Sequence, residues 1–149
     1  MNIKKNEFNE ITAVYKRNPN VPQGKITGSA SASMIARKIW PVDIAHREAI
    51  VCLMLDNSNN PTGFSTISTG GITSALCDLR VLYQNVLISN SVAIILVHNH
   101  PSGTLKPSQP DKDLTIKVKA AGQLLDIKLL DHIILTESSF YSFADEGLL

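Results

Sequence analysis

The residues best suited to chemistry in this 149-residue chain lie in one stretch, HNHPSGTLKPSQPD, residues 98 to 111. His98 and His100 stand at the mouth of an apolar, β-branched run, Val92 to Val97, that reads as a buried strand. Residues i and i+2 of a strand point to the same side, so the two imidazoles can converge on one ion while Asn99 faces away. Pro101, Ser102 and Gly103 then supply turn chemistry. Ser108 and Asp111 have the Ser-x-x-Asp spacing that opens helices, with Pro110 tolerated in the first turn. The Asp111 carboxylate thus falls in a first helical turn that can fold back against the strand end. Two imidazoles and a carboxylate make three zinc ligands and leave a fourth position for water, as catalytic zinc sites do. Taken singly, Ser108 and Asp111 read as a capping box and His-x-His as a polar strand end. Their conjunction within fourteen residues favours the metal.

A zinc hydrolase also needs a group to accept the proton of the attacking water. Glu48 is the candidate, because it immediately precedes the apolar run Ala49 to Leu55, whose strand end can reach the metal. Spacing leaves Glu10 and Asp43 open as alternatives. Asp131 and His132 read equally as partners of a ligand imidazole and as a sheet-end pair facing solvent.

The elements that must position these groups follow from periodicity. Residues 10 to 17 read as an edge strand. A short helix capped by Ser29, Ser31 or Ser33 runs up to Trp40 and is ended by Pro41. Ala49 to Leu55 reads as a central strand in a hairpin with Gly63 to Ser68. Leu79, Leu82, Tyr83, Val86 and Leu87 recur at helical spacing, which predicts a helix over about 74 to 89. A strand over 91 to 98 follows. Leu114, Val118, Ala121 and Leu125 mark another helix, with Gly122 as its expected cap. Ile127 to Leu135 returns as a strand, and Phe140 to Phe143 adds a short one. Strands interleaved with helices, one pair of them a hairpin, predict an α/β sandwich on a mixed sheet.

Composition bounds the function classes. Apolar residues make up 44% and charged residues 18%, a globular balance. A net charge of +1 carries no footprint of a nucleic-acid binder. Cys52 and Cys77 form no Cys-x-x-Cys pair, and two free thiols fit a reducing cytoplasm. The N-terminal residues lack a secretory apolar core, and the longest apolar run, seven residues, is far below the roughly twenty a membrane helix needs.

The central stretch resembles the signature of the JAMM (MPN) zinc metalloprotease superfamily: His-x-His, seven residues of which the first is Pro, Ser, two residues and Asp, with an upstream glutamate. The Asn between the histidines, the Pro-Ser-Gly after them, Asp131-His132-Ile133-Ile134 and the terminal Tyr141-Ser142-Phe143 resemble its RadC branch more narrowly. The resemblance covers residues 29–149 and sets residues 1–28 apart as an N-terminal extension. It implies a curved mixed sheet with helices packed on it, zinc held by His98, His100 and Asp111, Glu48 as general base and Ser108 as oxyanion donor. It also implies hydrolysis of a peptide or isopeptide bond in a peptide or protein substrate. RadC proteins bring a helix-hairpin-helix region suited to DNA and a Pro-Arg-Glu before the second helix. Residues 1–28 show no paired-helix glycine pattern, and Leu79-Arg80-Val81 stands at the second place. The repair association, a non-catalytic interaction role and a metal-dependent nuclease remain the rival readings.

Overall fold

The computed structural model describes residues 24–72 and 74–149, with residues 12, 14 and 15. Its elements are α1 (Ser29–Lys38), β1 (Ala49–Leu55), β2 (Pro61–Thr69), α2 (Leu79–Ile88), β3 (Ala93–Asn99), α3 (Gln109–Leu124), β4 (Lys128–Leu135) and β5 (Phe140–Ser142). The sheet order is β2-β1-β3-β4-β5. β1 runs antiparallel to β2 and β3, β3 runs parallel to β4, and β5 returns antiparallel along β4. The sheet is therefore mixed, as the hairpin pattern requires.

Continuous apolar runs become strands paired on both sides and covered on both faces. All seven residues of β1 and all seven of β3 are buried. Alternation sorts them. Val51, Leu53 and Val97 meet Ala32 and Ala36 of α1 on one face, while Ile50, Cys52 and Leu96 meet Leu82 and Val86 of α2 and Val118 of α3 on the other. No helix among the described residues is long and apolar enough to cross a membrane.

Several boundaries differ from the sequence reading. The edge strand expected over 10 to 17 falls largely outside the described residues. In α1 none of the three serines is the cap. Ser31 instead reaches back from the first turn, accepting from the amides of Thr27 and Gly28. The second helix starts at Leu79, five residues late, because the Asp78 carboxylate caps it by accepting from the Arg80 amide at 2.9 Å. The Arg80 side chain is occupied with that same carboxylate, 2.7 Å away, and is almost fully exposed.

Gly122 is not the cap of α3. It lies inside the helix, where an added Cβ would stand 2.4 Å from the Ile127 carbonyl oxygen and 2.8 Å from the Tyr83 hydroxyl. The hydroxyl itself ties α2 to α3 by donating to the Val118 carbonyl at 2.6 Å. The chain leaves α3 through Asp126, whose φ of 55° is the left-handed turn a glycine was expected to make. Gly122→Ala should therefore destabilise the protein by about 1–3 kcal/mol through overpacking. That outcome runs against the gain of roughly 1 kcal/mol expected from helix propensity alone. A denaturant midpoint lowered at unchanged slope checks it.

Candidate metal centre

The strand register assembles the site. Ile50 of β1 pairs with His98 of β3. Continuing that antiparallel register toward the start of β1 and past the end of β3 carries Glu48 and His100 to the same sheet edge, on the face covered by α2 and α3. Beyond β3 the chain turns sharply. The Gly103 amide donates back to the His100 carbonyl at 3.0 Å, and Gly103 holds φ at 80°, a conformation glycine adopts without strain.

The chain returns as α3, which delivers the carboxylate. Ser108 caps this helix in a reciprocal box with Asp111: the Ser108 amide and hydroxyl donate to Asp111 Oδ2 at 2.7 and 2.6 Å, and the Asp111 amide donates to Ser108 Oγ at 3.3 Å. The capping reading and the metal reading thus use the same two residues. Ser108 orients the carboxylate, and the helix N-terminus favours its charge.

The structure brings His98, His100 and Asp111 together, with one ligand atom from each lying within 4.8 Å of the others. His98 Nε2 is 3.1 Å from Asp111 Oδ1 and His100 Nε2 is 3.4 Å from Oδ2. The two Nε2 atoms are 3.0 Å apart.

Hydrogen bonds outside this triangle decide what those nitrogens carry. His100 Nδ1 sits 2.7 Å from the Thr104 carbonyl, which can only accept, so Nδ1 holds the proton and Nε2 a lone pair. On the other side a chain of three bonds does the same for His98. Thr115 donates its hydroxyl proton to the Asp111 backbone carbonyl at 2.7 Å. Its oxygen is left to accept from His132 Nδ1 at 2.7 Å, so His132 Nε2 accepts from His98 Nδ1 at 2.8 Å.

Burial first, and the nearby His98 second, hold the His132 imidazolium well below the usual range, so His132 is a neutral relay. Both Nε2 lone pairs and the Asp111 carboxylate then face one another with no donor among them. Such a set calls for a cation. Two imidazoles and a carboxylate are the donors of a zinc site, so the residues fit that ion.

A proton is the ion's rival. Hydrogen bonding to Asp111 raises the His100 pKa despite opposing burial. Burial pushes the Asp111 carboxyl up, but the bonds to His100 and His98 outweigh it and hold the group far below the carboxylate range.

His132 reaches the site because β4 carries one extra residue. Ile94 pairs with Leu129, but Ile95 pairs with Asp131. The shift places His132 beside Leu96 on the face of His98 and turns Asp131 to the opposite face. There Asp131 accepts from the Ser142 hydroxyl at 2.6 Å and from the Ala144 amide at 3.0 Å. Alternation along Asp131-His132 cannot tell which of the two faces inward once a bulge intervenes. Thr115 was legible in principle, since it stands four residues after Asp111 on the same helical face.

Glu48 is half-buried at the rim of a cleft of about 350 Å³ that it shares with His98, Asp111, Ile50, Leu79 and Leu114. Burial raises its pKa, opposed by attraction to His98 and His100 and by a hydrogen bond from the Ala75 backbone. Of the alternative bases, Asp43 accepts from the Ala45 amide in a local turn, and Glu10 lies outside the described residues.

The chain matches the family described as RadC-like JAB domain over residues 26–148. It is 45% identical over 124 residues to a UPF0758 protein of Flavobacterium johnsoniae, covering 83% of this chain and 53% of that one. A UPF0758 protein of Coxiella burnetii is 38% identical over 124 residues, covering 82% and 55%. One from Porphyromonas gingivalis is 36% identical over 137 residues, covering 90% and 60%. The chain thus spans little more than half the length of these relatives.

Two outcomes follow from the geometry. Thr115→Val removes the acceptor that fixes His132, and should lower zinc affinity roughly 10- to 100-fold while the protein stays folded. Competition with a chromophoric chelator measures this. Zinc affinity should also fall on acidification, beginning above the ordinary histidine pKa of about 6.5, because His100 binds its proton more tightly than free imidazole does. The same chelator assay from about pH 8 to about pH 5.5 tests that sign.

Proposed function

We propose, from the premise that the chain belongs to the RadC-like JAB domain family, that it is a zinc-dependent hydrolase of amide bonds. The substrate class we assign is a peptide or an isopeptide-linked protein. One observation carries the reading: two imidazole lone pairs and an ionised carboxylate converge without an internal donor, and Glu48 stands in the same cleft.

His98, His100 and Asp111 would hold the zinc ion. When bound, zinc supplies Lewis acidity that brings the pKa of water from about 15.7 toward about 7. Glu48 accepts the proton of the attacking water and hands it to the leaving amine. A carboxyl whose pKa is raised by burial suits both halves of that transfer better than a fully solvated one. The Ser108 hydroxyl is a rotor, and turning it from Asp111 Oδ2 toward the substrate makes it the donor for the oxyanion. Asp111 offsets part of the ion's charge, and Thr115 and His132 keep the His98 ring from turning. The apolar walls at Ile50, Leu79 and Leu114 remove water from beside the reacting carbonyl.

Purification without chelators, followed by elemental analysis, should find stoichiometric zinc. A screen of peptides and isopeptide-linked proteins should find turnover. Glu48→Gln should keep the zinc and lose about 10²–10⁴-fold in kcat, as expected for loss of a general base. Zinc-free protein, or a Glu48→Gln variant as active as its parent, would overturn the assignment.

A further inference from the structure

We propose that Asn99, whose side chain lies on the opposite face of the sheet from the metal ligands, is the positioning residue that holds Glu48 over the site. The inference rests on the reading of Glu48 as the base and adds the device that fixes it.

Asn99 is fully buried. Its Oδ1 accepts from the Ala49 amide at 2.8 Å, and its Nδ2 donates to the Arg47 carbonyl at 2.8 Å and to the Ile44 carbonyl at 2.7 Å. Two of the three bonds go to the residues on either side of Glu48. The paired ladder between β1 and β3 stops at Ile50 and His98. Beyond that point the side-chain amide does what a backbone peptide of β3 would have done, and carries the sheet one step further to include Glu48.

The other flank is held from the end of β2. The Glu48 amide donates to the Gly71 carbonyl at 2.9 Å and its carbonyl accepts from the Gly70 amide at 2.8 Å. The Arg47 guanidinium adds bonds of 3.0 and 3.2 Å to the Gly70 carbonyl. The Arg47 carbonyl, the Glu48 amide and carbonyl and the Ala49 amide are thereby all held, and the carboxylate projects from a fixed segment. Because Asn99 sits covalently between His98 and His100, any shift of the ligand pair carries the base with it.

The test compares wild type with Asn99→Asp, which keeps the shape but loses both donors, and with the milder Asn99→Ser. Amide hydrogen exchange needs neither metal nor substrate. Exchange over 44–48 should accelerate in both variants, and at Ala49 in Asn99→Ser, which lacks the Oδ1 acceptor that Asn99→Asp keeps, while the amides of Leu96, Val97 and Ile133 keep their protection. Zinc affinity should stay within about threefold of wild type, since no ligand is touched.

In the zinc-loaded protein, acetohydroxamate is the probe, because its acidic proton is shared with the base. Its affinity should fall roughly 10- to 100-fold in Asn99→Asp and in Glu48→Gln alike, and the double variant should fall no further. Additive losses, a collapse of zinc binding, uniform loss of exchange protection, or failure of both variants to fold would each overturn the proposal. Non-additive losses beside a wild type that hydrolyses no amide would leave the clasp standing and refute the hydrolase reading instead.

Discussion

The constraint on which the centre depends is that three Lewis-base atoms are forced to face one another. Left alone they would repel, since buried acceptors without donors cost about 1–3 kcal/mol each. The fold maintains the conflict by settling every other hydrogen bond of these side chains first. Thr104 takes the outer proton of His100, and the path from Asp111 through Thr115 and His132 takes that of His98. Once those protons are placed outside, the inner lone pairs can be answered only by a cation. The path also closes on itself, because the carbonyl that ends it belongs to Asp111, the third member of the cluster. Helix α3 therefore sets the position of the Asp111 carboxylate and the tautomer of His98 with the same turn.

That closure explains why the sheet is built as it is. A parallel pairing of β3 with β4 brings their carboxyl ends to one edge, and the crossover between them is α3, whose first turn must lie near that edge. The imidazoles at the strand end and the carboxylate at the start of the following helix are thus neighbours by topology. The extra residue in β4 then rotates its later half, so that His132 and not Asp131 lies under His98. Asp131 finds donors in Ser142 and Ala144, which anchor the C-terminal turn.

Much of this was legible in the sequence, and for definite reasons. Continuous apolar runs marked β1, β3 and β4 within a residue or two, because strands covered on both faces are apolar along most of their length. That His98 and His100 share a face was legible from the strand period of 2, and that Asp111 stands in a first helical turn from the Ser-x-x-Asp spacing, while the meeting of the three groups is set by the fold. What escaped depends on contacts between distant segments. Gly122 has the look of a helix stop, yet is a glycine because Ile127 and Tyr83 press against it. The start of α2 slipped because Asp78 outcompeted the apolar periodicity with a side-chain cap. His132 was ambiguous because a bulge leaves no mark in the alternation.

The tripeptide His98-Asn99-His100 shows how a strand can serve two purposes at once. Alternation sends its outer members to the metal face and its middle member to the face of α1, where a polar side chain has no place unless fully bonded. Asn99 meets that demand with three backbone partners, two of which flank Glu48. A hydrophobic residue there would leave the Ala49 amide and the Arg47 and Ile44 carbonyls without the partner that Asn99 gives them. The polar choice is therefore explained by the segment it holds, and the placement of Glu48 and that of the two imidazoles share one short piece of backbone. A site so made has few independent ways to loosen, because the segment carrying Glu48 and the strand carrying His98 and His100 are tied by the same side chain.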